Sequence, residues 1–83
     1  MKTIQVECSD AVLVSLKESP EAFAHDLCLT AAVKFYEMGR LSSGRAAELA
    51  GLTRVAFLQR LKEFGVSIMD PTRQELEEDL RNA

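Results

Sequence analysis

The stretch from Leu41 to Leu61 constrains the fold more than any other, because its small residues, its glycine and its capping residues recur at set intervals. Ser42 or Ser43 can cap a first short helix, since a serine oxygen there accepts from backbone N–H groups that have no partner within the helix. Gly51 stands where that helix must end, and glycine takes the left-handed terminal conformation without a Cβ clash. Thr53 then caps a second helix. Ala46, Ala47 and Ala50 are small enough to let the two helices cross closely, and Leu49, Leu52, Phe57, Leu58 and Leu61 supply a shared core. A small residue, a glycine four positions on and a capped amphipathic helix make a helix-turn-helix pattern over residues 42–64.

Helical hairpins that never meet DNA use the same pattern, so charge has to separate the two readings. The 83 residues carry a net charge of −3, which taken whole argues against a polyanionic ligand. Its distribution reverses that argument. Residues 1–39 hold three lysines against six acids. Residues 40–62 hold Arg40, Arg45, Arg54, Arg60 and Lys62 against Glu48 alone. Residues 63–83 hold Arg73 and Arg81 against Glu63, Asp70, Glu75, Glu77, Glu78 and Asp79. A basic centre that coincides with the helix-turn-helix, between acidic flanks, predicts double-stranded DNA for one region and a different partner for another. Arg45, Arg54, Arg60 and Lys62 are the expected phosphate contacts, and Thr53, Arg54 and Gln59 the expected base readers. Ser43 completes the candidate set. The usual pattern has an apolar residue where Arg60 stands, with Leu61 one step later here, a frame that rotates the second helix.

Residues 3–8 alternate, with Ile4, Val6 and Cys8 on one side, the period-2 pattern of a half-buried strand. Residues 11–16 are apolar and fit either a short helix capped by Asp10 or a continuing strand. Ser19-Pro20-Glu21 opens a helix that runs to Met38 and stops at Gly39. Its apolar residues Phe23, Leu27, Cys28, Ala31, Ala32, Phe35, Tyr36 and Met38 occupy more than one face, as in a helix packed on two sides. In so short a chain that predicts a second copy over part of it, hence a homodimer. Val66-Ser67-Ile68-Met69 reads as a short strand, and Asp70-Pro71 or Thr72-x-x-Glu75 opens a last helix striped by Leu76 and Leu80. The expected fold is mainly α with minor β: an N-terminal strand or arm (1–18), a helical core with the helix-turn-helix (19–65), and a short strand with an acidic C-terminal helix (66–83).

Other functions find no support. Cys8 and Cys28 lie twenty positions apart without a second cysteine nearby, which suits neither a zinc site nor a disulfide framework. His25 is the only histidine and has no triad-like companion, and the tail carboxylates lack the glycine of a calcium loop. No enzyme and no cofactor is expected. Without Trp and with one Tyr there is no platform for stacking unpaired bases. No apolar run nears the ~20 residues of a membrane span and no signal pattern opens the chain, so no membrane contact and a cytoplasmic protein are expected.

The run Val33-Lys34-Phe35-Tyr36-Glu37-Met38-Gly39-Arg40-Leu41-Ser42 continues through Gly44-Arg45-Ala46-Ala47-Glu48-Leu49-Ala50-Gly51-Leu52-Thr53-Arg54 to Phe57-Leu58. It resembles a family of small prokaryotic proteins, long described only as uncharacterised, whose members are regarded as helix-turn-helix antitoxins, often encoded beside PIN-domain toxins (metal-dependent ribonucleases). The likeness covers roughly residues 27–80. Phe35-Tyr36 stands where the family has Leu-Tyr, and Val55-Ala56 where it often has Trp-Glu, which removes a large side chain from the second helix. The resemblance implies a transcriptional autoregulator whose basic centre holds operator DNA and whose C-terminal region, with Arg73, Leu76, Leu80 and Arg81, covers the toxin. Arg73 or Arg81 would then pair with the carboxylates of the toxin's site. The alternative is a protein–protein adaptor whose hairpin does not bind DNA.

Overall fold

The computed structural model describes residues 2–68. They form four helices: α1 (Asp10–Leu16), α2 (Pro20–Glu37), α3 (Ser43–Ala50) and α4 (Arg54–Glu63).

Local chemistry sets the helix ends. Ser19 Oγ accepts from Ala22 N–H at 3.1 Å, and Pro20 takes the first helical position of α2, where a missing N–H costs nothing. Ser42, not Ser43, caps α3, accepting from Arg45 N–H at 3.2 Å, and Thr53 caps α4, accepting from Ala56 N–H at 3.1 Å. Gly51 ends α3 in the left-handed region at φ 70°, while Leu52 N–H returns to the Ala47 carbonyl at 2.9 Å. Residues 11–16 prove helical. Ser9 precedes α1 without a side-chain capping bond, and Asp10 is the first helical residue, its carboxylate near the positive end of the helix.

The core sits where α2, α3 and α4 meet. Leu29, Ala32, Val33 and Tyr36 face Ala46, Ala47 and Ala50 of α3 and Phe57 and Leu61 of α4. Tyr36 and Phe57 meet edge to face, with ring centres 5.9 Å apart, a favoured aromatic geometry. The three alanines let α3 lie close against its neighbours, as their size suggests. Leu41, Leu52, Leu58 and Val66 close the edges of this core.

Several expectations fail. No strand occurs among the described residues, so the minor β content is wrong. Residues 3–8 alternate, yet Ile4 is 84% and Val6 65% exposed, because period-2 patterning buries a face only when a neighbouring strand supplies backbone partners. Residues 66–68 are irregular too. Val66 packs on the core and its N–H closes α4 on the Leu61 carbonyl at 2.9 Å, so its apolar character serves a helix end. Met69 and the expected C-terminal helix lie outside the described residues. Leu29 and Val33, not singled out above, are core, whereas Leu49, assigned to the core, is 41% exposed. No helix among the described residues is long and apolar enough to cross a membrane.

Candidate nucleic-acid interface

The turn Gly51-Leu52-Thr53 joins α3 to α4, and the first residue of α4 is Arg54. Its Nε donates to Ser43 Oγ at 2.9 Å. Ser43 is the first residue of α3 and is buried, so this bond ties the starts of the two helices together. Ser43, an expected DNA contact, is buried, as is the capping Ser42, and its hydroxyl holds Arg54 in position.

Around α4, at about 100° per residue, Val55, Gln59 and Lys62 fall within roughly 60° of one another, opposite Phe57 and Leu61. All three are exposed. Val55, which stands where the resembled family often has Trp and which the candidate set leaves out, is 67% exposed on the side away from the core. Thr53 is exposed at the start of the same helix, with its hydroxyl engaged in the cap. On α3, Arg45 pairs with Glu48 at 2.9 Å on the surface, a weak pair that a phosphate can displace.

Arg60 is separated from this set. Six residues from Arg54, it sits about 120° away around the helix. It pairs with Glu63 at 2.9 Å and lines a groove with Leu16, Phe23, Leu29 and Phe64. Glu18 and Asp26 also line that groove, of about 570 Å³. A hydrogen bond to the Asp26 side chain raises the Glu18 carboxyl above its ordinary pKa, reinforced by burial and by repulsion from Asp26. A phosphate would meet acid there. The sequence-predicted residues therefore divide into Ser43 and Arg45 at the start of α3, Thr53 and Arg54 at the start of α4, Gln59 and Lys62 on the outward face, and Arg60 on the far flank. Arg73, Leu76, Leu80 and Arg81 lie outside the described residues.

Arg40 follows α2 with its guanidinium 5.2 Å from the centre of the Phe35 ring, a cation–π contact. Among the described residues no group of three or more His, Cys, Asp or Glu side chains could hold a metal ion, and Cys8 and Cys28 are exposed thiols.

The family model described as "Uncharacterised protein family (UPF0175)" matches residues 1–83. No curated protein and no solved structure matches the chain.

Proposed function

We propose that this chain, which belongs to that uncharacterised family, is a DNA-binding antitoxin and autoregulator of a prokaryotic toxin–antitoxin pair, working as a homodimer in the cytoplasm. The observation that carries the DNA part is Arg54, pinned by buried Ser43 at the start of the second helix of a helix-turn-helix. That helix lies in the major groove, with Arg54 and Gln59 on base edges and Val55 on a thymine methyl. Arg45, Lys62 and, at the flank, Arg60 meet phosphates. So few cations per copy give weak binding with a shallow salt slope, and two copies on two half-sites strengthen the binding and steepen the slope. The antitoxin part rests on the resemblance over residues 27–80 and on the acidic composition of residues 63–83. In it the C-terminal region neutralises a PIN-domain-like ribonuclease, with Arg73 or Arg81 on the carboxylates of the toxin's site.

The test is a mobility shift on the DNA upstream of the chain's own gene, across a salt series and against an unrelated duplex. Specific binding that weakens with salt and is lost in Arg54→Ala supports the reading; no shift at any salt, with or without the neighbouring gene product, ends it. Full neutralisation of the toxin by a chain substituted at both Arg73 and Arg81 removes the arginine step. Exposed Val55 in the middle of the outward face favours the rival adaptor, under which Arg54→Ala leaves every association unchanged.

A further inference from the structure

We infer that Cys8 and Cys28 together form a reversible oxidation site, where a peroxide joins them in an intramolecular disulfide that fastens the N-terminal arm to α2.

The two cysteines are twenty positions apart in the chain, yet they share one feature of the fold. Ile4, Val6 and Cys8, all on one side of the arm, line a hollow of about 210 Å³ that Ala24, Leu27 and Cys28 of α2 also line. Both thiols are exposed, so a small oxidant reaches each of them. They are the only cysteines of the chain, so this hollow gathers every thiol the protein has.

A disulfide needs its Cα atoms within roughly 7 Å, so forming one here draws the arm across the hollow onto α2. Little resists that movement. α1, which follows the arm, has no buried residue, and Ile4 and Val6 are largely exposed. A segment with few buried contacts shifts at low cost. The movement is itself favourable, because it brings Ile4 and Val6 against Leu27 and takes apolar surface out of water.

The chemistry needs only a peroxide and a small thiol. One cysteine sulfur attacks a peroxide oxygen, the O–O bond breaks, and a sulfenic acid and one water result. The second sulfur attacks the first, the S–O bond breaks, and its proton leaves with the hydroxide as another water. Two thiols are thus oxidised by two electrons in all, and hydrogen peroxide is reduced to two waters. A low-molecular-weight thiol reverses the bond by exchange and is itself oxidised to its disulfide. In a reducing compartment the bond is therefore transient, which is the form that redox-sensing disulfides take there. While it lasts, residues 8–28 are a closed loop, and the unfolded chain loses conformations as the arm is ordered.

Treating the full chain with hydrogen peroxide, then measuring intact mass and a non-reducing tryptic map, tests this. The expected product is a monomer lighter by about 2 Da, the two hydrogens lost, with neither thiol reactive. Trypsin cuts after Lys2, Lys17 and Lys34, so the peptides Thr3–Lys17 and Glu18–Lys34 should run as one linked species and separate on reduction. Cys8→Ser and Cys28→Ser should each abolish that species, and both positions are exposed, so the fold should survive either change. Two cysteines at this spacing also meet in an unfolded chain, so the contribution of the fold is measured separately. Equilibration with a glutathione couple gives the effective concentration of one thiol at the other, which should be at least about tenfold higher in the folded chain than in urea. A smaller ratio, disulfide-linked dimers as the main product, or sulfinic acid without a link overturns the inference. None of these readouts involves DNA, so the inference stands or falls apart from the reading above.

Discussion

Residues 2–28 and residues 29–66 are both rich in apolar side chains, yet every buried residue of the described chain lies in the second region. The first holds Ile4, Val6, Val12, Val14, Leu16 and Leu27, all exposed. Composition therefore does not decide burial; a neighbour does. In the second region three helices each present a small or aromatic surface that fits the next. In the first, an arm and a seven-residue helix lack the length to build a core of their own.

The contrast can be broken most forcefully at the core. Phe57→Ala should cost about 3–5 kcal/mol in urea unfolding, since the ring is fully buried against Tyr36. Val14→Ala should change stability by less than about 0.5 kcal/mol. Equal effects would mean that the two regions fold as one packed unit.

Two positions with the same left-handed backbone sharpen it next. Gly51→Ala should cost about 1–2 kcal/mol, all of it from the backbone, because a Cβ there meets nothing within 4 Å. Lys17 adopts φ 56° at the end of α1 without being glycine. Lys17→Gly should therefore stabilise α1, by about 1 kcal/mol at most, and thermal unfolding of both variants checks the opposite signs.

Capping gives a slightly smaller contrast. Thr53→Ala should cost about 1 kcal/mol, whereas Ser9→Ala should cost little, since only Thr53 makes the bond. Paired denaturation curves would show it.

The smallest effect concerns protons. Glu18 binds its proton more tightly in the folded chain, so its contribution to stability is present at low pH and is lost as pH rises through the raised value. Asp26→Ala removes the hydrogen bond and the repulsion together and should bring the Glu18 titration down toward its ordinary midpoint, read by NMR on the side-chain carboxyl. An unmoved midpoint would show that Asp26 is not the cause.

The second region was also the legible one. Ser19, Gly51 and Thr53 act through atoms a few residues away, so their roles can be read from local spacing, and each end falls where the spacing puts it. Residues 3–8 misled because a strand is defined by a neighbour that alternation cannot supply. Leu29 and Val33 were missed because α2 is apolar on two sides, and periodicity does not say which side meets α3. At the candidate interface, the basic character of α4 was visible but its division was not. That Arg54 joins Ser43 follows from how α3 packs on α4, and that Arg60 lines the acidic groove depends on residues far from it in the chain, both tertiary facts.

The bond from Arg54 to Ser43 also bears on conformational entropy. A free arginine side chain gives up on the order of 2 kcal/mol of rotamer freedom when a ligand immobilises it. Arg54 has surrendered part of that freedom on folding, because its Nε is already anchored to a buried hydroxyl. Whatever anion it meets is spared that share of the cost, and the direction in which the guanidinium points is set before the encounter begins.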